Sequence, residues 1–244
     1  MSSSSPRVLV TRPVQPAAEL VAKLQQQGVQ ARSLPLFRIE PVDFELPSTK
    51  PDRVVFVSAN AVACSIEILQ PLLQQWQTKL FAIGPATAVA LQSAGLQVQL
   101  PGGGFRSEEL LQHCGDELQQ GHTWVVCGTE GREQIQNWLT ERGAAVDSLY
   151  CYRRQPLEGA AEALGQLADN WQPDYISLMS GDTLELFDCA LTQAGLESWR
   201  DIALLVPSPR VLSRARQLEY CNLLLLEDAS EATLLQFLSG LPRG

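Results

Sequence analysis

Histidine is scarce in this chain, since only His113 and His122 occur among its 244 residues. So few histidines argue against a histidine-based metal centre and against a Ser-His-Asp triad. The six cysteines form no CxxC pair and predict small buried hydrophobic side chains in a reducing compartment. Together these features argue against most hydrolase and metalloenzyme mechanisms, and we expect no metal.

Long hydrophobic runs are also missing. The longest apolar stretches, such as 202–206 and 223–226, fall far short of the roughly 20 residues that span a bilayer. The N-terminal sequence MSSSSPRVLV has neither a basic segment nor a long apolar one, so it predicts no signal peptide. We expect a cytoplasmic protein without membrane association.

Lysine is rare as well, with three residues against 15 arginines, and the net charge is −9. A nucleic-acid-binding protein is normally basic, so the charge argues against that class. Arginine suits two-pronged recognition of carboxylates or phosphates, although codon usage is the better explanation of the bias taken alone. Hydrophobic residues reach 45%, which is enough for packed cores and excludes a disordered chain.

The chain contains an internal duplication. Residues 17–41 match residues 132–156 in one register, for example Gly28 with Gly143 and Pro41 with Pro156. Residues 54–62 match 175–183, and SEELL at 107–111 matches SEATLL at 230–235. Three matches in the same order indicate two copies of one α/β unit.

Each copy alternates short apolar runs with amphipathic helices, which predicts α/β architecture with parallel sheets buried on both faces. The predicted strands are 8–11, 31–34, 54–58, 80–83 and 98–100, then 124–127, 145–149, 175–179, 202–206 and 223–226. Proline-rich or polar segments at matching points predict linkers at 39–45 and 150–155. One domain is then 46–149, and the other joins 1–38 to 156–244.

Six turns after predicted strands are rich in Gly, Ser, Thr, Asn or Arg. Ligands of open α/β sheets bind at such turns, where helix N-termini favour anions. Any single turn is explained better by helix capping, but six of them from two domains favour an extended anionic ligand. The candidate binding residues are Thr11, Arg12, Ser58, Asn60, Ala61, Gly84, Thr87, Ser107, Gly128, Arg132, Ser180, Thr183 and Ser208.

The segment PGGGFRSEELL at 101–111 looks like a phosphate loop but lacks the Lys-Ser/Thr pair that would follow. A loop with Ser107 as the N-cap of the next helix is the better interpretation.

In order along the chain, VLVTRP, FVSANAV, AIGPATA, SEELL, CGTEGRE, the pair Tyr152-Arg153 and LMSGDT resemble the uroporphyrinogen-III synthase family. The resemblance covers nearly the whole chain. It implies two α/β domains joined by a two-stranded linker, with the active site in the cleft between them. It also implies a lyase of tetrapyrrole (haem) biosynthesis that dehydrates and cyclises hydroxymethylbilane to uroporphyrinogen III. The resemblance further implies that ring D is inverted through a spiro intermediate and that no cofactor takes part.

The resemblance also implies roles for individual residues. Thr87 matches a threonine of the family, whereas the second copy has Pro209 at the equivalent place, so Ser208 is expected to supply that hydroxyl. Tyr152 is the candidate proton donor because its counterpart in the first copy is Phe37, which has no hydroxyl. An aromatic plug at the domain junction is an equally good interpretation of Tyr152.

The expected partners are the bilane substrate and hydroxymethylbilane synthase, which would hand it over; we expect a monomer that binds no nucleic acid. Two other classes stay open at this point. A two-domain binding or sensory protein could close on an anionic ligand without reacting, and fold alone does not distinguish it. A nucleotide-using enzyme is weakened by the absence of both phosphate-loop signatures.

Overall fold

The computed structural model describes residues 5–102, 107–130 and 133–241. It contains two separate five-stranded sheets flanked by helices. The strands are β1 (Arg7–Val10), β2 (Gln30–Ser33), β3 (Phe37–Pro41), β4 (Arg53–Phe56), β5 (Lys79–Ala82), β6 (His122–Gly128), β7 (Ala145–Pro156), β8 (Tyr175–Ser177), β9 (Ala203–Val206) and β10 (Leu223–Leu225). The helices are α1 (Val14–Gln26), α2 (Ala59–Trp76), α3 (Pro85–Ser93), α4 (Ser107–Leu118), α5 (Gln134–Glu141), α6 (Ala160–Ala168), α7 (Gly181–Gln193), α8 (Pro209–Gln217) and α9 (Glu231–Ser239), with a 3-10 turn at Glu197–Asp201.

The chain divides into two compact units. Unit 1 comprises Met1–Arg38 and Gln155–Gly244, and unit 2 comprises Ile39–Arg154. Unit 1 is therefore assembled from both ends of the chain, whereas unit 2 is continuous.

Four consecutive strands follow the same order in the two sheets once the duplication is taken into account. The sheet of unit 1 runs β10-β9-β8-β1-β2, and the other runs β3-β7-β6-β4-β5. The pairs β1 and β6, β2 and β7, β4 and β8, and β5 and β9 occupy equivalent places in the two orders. Each unit thus combines the β-α-β half of one copy with the remaining half of the other.

The prediction of a strand at 98–100 is wrong. Only an isolated bridge between Gln99 and Phe81 is formed there, with Gln99 N donating to Leu80 O at 2.8 Å. This bridge lies beside β5 in the same way that β10 lies beside β9. The segment therefore occupies the equivalent edge position of its sheet, although it does not form a full strand ladder. Val98 is half-buried against the core, but Gln97, Gln99 and Leu100 are exposed, which leaves little burial to stabilise a full strand.

The segments predicted as linkers are largely strands. Residues 37–41 form β3, and β7 extends through 150–156. Val42 N donates to Cys151 O at 3.0 Å, and Leu157 N donates to Leu36 O at 3.0 Å. Residue numbers increase along one segment as they decrease along its partner, so the two segments are antiparallel. Mutual backbone pairing explains why these proline-flanked sequences are extended.

Both faces of the unit 2 sheet are buried, as a parallel sheet requires. Val54, Phe56, Trp124 and Val126 belong to a cluster that contains side chains of α2 and α3. The alternating residues Val55, Phe81, Val125 and Cys127 belong to a second cluster with side chains of α4 and α5. In unit 1, Val8 and Val10 of β1 pack in one cluster with Leu20 and Leu24 of α1.

None of the helices among the described residues is long and apolar enough to cross a membrane.

Candidate functional site

The strand order brings the predicted turns together within each unit. In unit 2 the adjacent strands β6, β4 and β5 end at Gly128, near Ser58 and near Gly84, respectively. Because these strands are parallel, all three turns lie at one edge of the sheet. In unit 1 the turns after β9, β8 and β1 are neighbours for the same reason. This is the edge at which open α/β sheets bind ligands.

Tyr152 contacts two of the predicted residues in unit 2. Its hydroxyl oxygen lies 3.1 Å from the Oγ of Ser58, and only 4% of the residue is exposed. The ring lies directly against Gly128, since a Cβ on that glycine would be 2.7 Å from both Cε2 and Cζ of Tyr152. Glycine at 128 therefore makes room for the phenol.

A bulge turns Tyr152 towards Ser58. Cys127 of β6 pairs with Tyr150, but the next residue, Gly128, pairs with Tyr152, so Cys151 is an extra residue in β7. Cys151 and Tyr152 are consecutive and both pack in the cluster on the α2 side, whereas Tyr150 packs on the opposite face. Regular alternation would have placed Tyr152 on the face of Tyr150. Bulges frequently occur beside active sites, where they redirect a side chain.

The turn after β6 is fastened to β7 on either side of Tyr152. Thr129 N donates to Tyr152 O at 2.9 Å, and Arg154 N donates to the carboxylate of Glu130 at 3.0 Å. The hydroxyl of Tyr150 donates to Glu133 at 2.7 Å. The bonds from Thr129 and Arg154 tie the backbone on both sides of the phenol to the turn after β6.

The electrostatic environment keeps the phenol protonated. Burial raises the pKa of Tyr152 above its usual value of 10.0, and the hydrogen bond with Ser58 opposes this effect in part. The hydroxyl also lies at the N-terminus of the 18-residue helix α2, where the helix dipole favours negative charge. Tyr152 is therefore neutral at neutral pH, yet a phenolate formed there would have stabilising partners.

The other candidates of unit 2 have mixed surroundings. Ala61 N is already bonded to Ser58 Oγ at 3.1 Å, Asn60 is half-buried in the first turn of α2, and Gly84 precedes α3. Thr87 is 4% exposed, in the first turn of α3. Ser107 is the first described residue of α4, and because residues 103–106 lie outside the described residues, its role as the N-cap stays a prediction. Arg132 lies outside the described residues.

In unit 1 the predicted hydroxyls already have partners. Thr11 Oγ1 donates to Ser177 O at 2.6 Å and is buried. Ser180 Oγ accepts from Thr183 N at 3.1 Å and lies 2.7 Å from Thr183 Oγ1. Ser208 Oγ accepts from Val211 N at 3.4 Å. Each serine is thus an N-cap, which satisfies one helix N–H and leaves others of the first turn for a ligand.

The register between Thr87 and the second copy differs from the sequence alignment. The N-cap and first residue of α3 are Gly84 and Pro85, and those of α8 are Ser208 and Pro209. Counted from the helix start, Thr87 corresponds to Val211. Ser208 lies at the cap of its helix, whereas Thr87 lies one turn inside α3, and the replacement of the second threonine by Ser208 stays a prediction.

The arginines of unit 1 differ in their surroundings. Arg12 donates to Ala229 O at 3.0 Å and lies 3.8 Å from the carboxylate of Glu231, and burial lowers its pKa. Arg210, by contrast, is exposed and lies 3.8 Å from the position a Cβ of Gly181 would take. It borders a groove of about 520 Å³ between α7 and α8 that Asp182, Glu185 and Arg214 also line.

Sequence reasoning missed how closely Tyr152, Ser58 and Gly128 are associated. Gly128 and Ser58 were expected to contact the ligand, and nothing in their spacing indicated a contact with the phenol. The sequence feature that drew attention to Tyr152 was its alignment with Phe37 in the other copy of the duplication. Among the described residues, no group of three or more His, Cys, Asp and Glu could hold a metal ion.

The fold and these turns define a class: duplicated, doubly wound α/β proteins with polar turns at the carboxyl ends of their strands. The family model for uroporphyrinogen-III synthase HemD matches residues 18–236. The uroporphyrinogen-III synthase of Escherichia coli K12 is 32% identical, over 95% of this chain and 99% of the relative. The enzyme of the same name from Salmonella typhimurium is also 32% identical over the same shares. The chain belongs to the uroporphyrinogen-III synthase family of tetrapyrrole biosynthesis.

Solved structures agree on the fold. A mutant uroporphyrinogen III synthase from the extremely thermophilic bacterium Thermus thermophilus superposes with a TM-score of 0.61 at 19% identity, covering 96% of this chain and 97% of the other. The uroporphyrinogen-III synthetase of Helicobacter pylori 26695 gives a TM-score of 0.63 at 16% identity, with the same coverage. The comparisons confirm the resemblance found in the sequence. They favour an enzyme over a binding protein that does not react.

Proposed function

We propose that this protein converts hydroxymethylbilane to uroporphyrinogen III without a cofactor. The observation that carries the proposal is the Tyr152 hydroxyl, which Ser58 holds at the N-terminus of α2 in a chain of this family. The substrate is a linear tetrapyrrole with eight acetate and propionate carboxylates. The turns at the carboxyl edge of each sheet offer helix N–H groups and hydroxyls to such carboxylates.

The first step is loss of water. Tyr152 donates its proton to the hydroxymethyl oxygen, the carbon–oxygen bond breaks, and water leaves with the bonding electrons. The pyrrole nitrogen stabilises the resulting azafulvene cation, so a strong acid is not needed. Because burial raises the pKa of the phenol, the proton is present for this step at neutral pH.

Ring closure determines which isomer is formed. The substituted α-carbon of ring D attacks the cation and gives a spiro intermediate, which opens and recloses with ring D inverted. The final closure releases one proton, which restores the phenol, so the net change is the loss of one water. Holding the folded bilane by its carboxylates favours this attack over direct closure at the free α-carbon.

The carboxylates are bound mainly by neutral groups in this proposal. The net charge is −9, so the overall field repels the substrate. At physiological salt, however, charges more than about 8 Å away are largely screened, and local N–H groups dominate. Arg210 is an exposed cation that adds to them in the first turn of α8.

The protein is expected to act as a cytoplasmic monomer that receives the bilane from hydroxymethylbilane synthase. Sedimentation of the purified protein would test the monomer.

The proposed reaction is tested by incubating purified protein with hydroxymethylbilane and separating the product isomers after oxidation. We expect isomer III in large excess, formed faster than the spontaneous closure to isomer I. Isomer I alone, at the rate seen without protein, would refute the proposed function.

A further inference from the structure

The hydroxyl of Ser58 is engaged on both sides. Its oxygen accepts the N–H of Ala61 at 3.1 Å as the N-cap of α2, and the phenol oxygen of Tyr152 lies 3.1 Å away. A serine hydroxyl has one proton to donate. With the helix N–H bound to its oxygen, that proton is available for the phenol oxygen, which leaves the phenolic proton available for a substrate oxygen.

Other features of unit 2 also serve the position of the phenol. The extra residue Cys151 turns Tyr152 onto the α2 face, and Gly128 leaves the space that its ring fills. Thr129 N holds the Tyr152 carbonyl at 2.9 Å. The equivalent cap in unit 1, Ser180, has nearly the same backbone conformation, but its hydroxyl lies against Thr183. Contact with a phenol therefore distinguishes Ser58 from its counterpart.

We propose that Ser58 is a positioning residue that acts through Tyr152, and that it does not bind a substrate carboxylate. Its hydroxyl fixes the direction of the phenolic proton and donates to the phenolate oxygen once that proton has gone to the leaving water. When ring closure releases a proton, the phenolate takes it up and the starting hydrogen bonds return. Bonds in such a chain strengthen one another in a buried setting. This inference rests on the proposed function.

The first arm of the test needs no substrate. Tyrosine labelled with ¹³C at Cζ gives one resonance for each of the four tyrosines, and the Tyr152→Phe spectrum identifies that of Tyr152. We expect Ser58→Ala to shift the Tyr152 resonance and to raise its pKa further, because the bond that opposes the effect of burial is lost. Ser58→Thr keeps a hydroxyl and should restore both values.

The control is Ser230→Ala. Ser230 caps α9 in the same way, accepting from Thr233 N at 3.1 Å, and it belongs to unit 1. This variant loses a cap and should leave the Tyr152 resonance unchanged. An unchanged resonance in Ser58→Ala would overturn the inference.

The second arm is kinetic. We expect Ser58→Ala to lower kcat about tenfold with little change in KM, the scale of one hydrogen bond to a charged group. In a Tyr152→Phe background the same change should lower kcat less than about twofold, because residues that act as a unit are not additive. A raised KM that persists in that background would show that Ser58 binds substrate directly, and would overturn the inference. A wild-type protein without synthase activity would refute the proposed function, and the first arm would still decide the role of Ser58.

Discussion

At the scale of a single side chain, two effects act in opposite directions on the hydroxyl proton of Tyr152. Burial holds its proton, while Ser58 and the N-terminus of α2 stabilise the charge that appears when the proton leaves. A group that gives up a proton and later recovers it needs both effects. The position of its ring also requires glycine at residue 128, because a Cβ there would occupy the same space.

Gly128→Ala should displace the phenol. The new methyl would lie 2.7 Å from the ring, closer than van der Waals contact permits, and backbone bonds on both sides prevent easy movement. We expect a loss of about 1–3 kcal/mol in the free energy of unfolding and a lower kcat. Denaturant unfolding and initial rates measure the two effects.

Gly165→Ala is the matched control, because a Cβ at that helical position meets nothing within 4 Å. It should leave the activity unchanged and stabilise the protein slightly. Wild-type stability and kcat in Gly128→Ala would contradict the close contact with Tyr152.

The buried thiols of unit 2 predict a fall in stability at alkaline pH. Burial raises the pKa of Cys127 to about 11 and that of Cys151 to about 12, from an ordinary value of 9.0. The folded protein holds these protons more tightly than the unfolded chain, so the free energy of unfolding falls as the pH rises above about 9. Replacing both cysteines with alanine should flatten this decline between about pH 9 and pH 11, as denaturant unfolding at a series of pH values would show.

Alkylation at mildly alkaline pH checks the same burial. Cys189 and Cys221 are exposed and should be modified in the folded protein, whereas Cys127 and Cys151 should react only after denaturation. Rapid modification of Cys151 in the folded state, read by mass spectrometry, would count against the account.

At the scale of elements, the repeated motif is a buried strand followed by a capped helix. A cap serine and a bound anion would occupy different N–H groups of the same first turn, so stability and binding both depend on these turns. Ser180 offers a way to separate them, because aspartate also caps helices but repels carboxylates.

Ser180→Ala should lower the free energy of unfolding by about 1 kcal/mol, since the bond from Thr183 N is lost. Ser180→Asp should keep the stability but raise KM about tenfold through repulsion between like charges. Denaturation curves and KM values for the two variants give the comparison. An unchanged KM in Ser180→Asp would mean that this turn does not face a substrate carboxylate.

Most helices and strands could be predicted because the pattern of apolar residues indicates which faces are buried. Strands such as β4 and β9 are apolar along most of their length, and the helices have periodic apolar faces. The pairing of β3 with β7 was missed, because Phe37–Pro41 contains two charged residues, ends in proline and is extended through backbone bonds to a distant strand. The bulge at Cys151 was equally invisible, because it depends on the register between two strands and not on any local pattern.

At the scale of the whole molecule, each sheet draws strands from both copies of the duplication. Strand β1 lies between β8 and β2, so the core of unit 1 needs the first segment of the chain. Unit 2 contains all its strands in one continuous segment.

A fragment of residues 37–156 should therefore fold alone, with β3 and β7 intact. A fragment of residues 157–244 should not, because Val8, Leu9 and Val10 are completely buried in the complete protein and would be missing. Cooperative thermal unfolding followed by circular dichroism distinguishes the two. Cooperative unfolding of 157–244 would contradict this interpretation of unit 1.

The central claim is a division of labour: the fold holds the bilane in the shape that inverts ring D, and the Tyr152 phenol accelerates the loss of water. The most direct test is the rate and the isomer composition of the product from Tyr152→Phe beside those of the wild type. The account predicts a kcat about 10²-fold lower, the lower end for general acid catalysis, with product that is still mostly isomer III. A wild-type kcat would remove the proton-donor role, and a slow reaction that yields mainly isomer I would contradict the division itself.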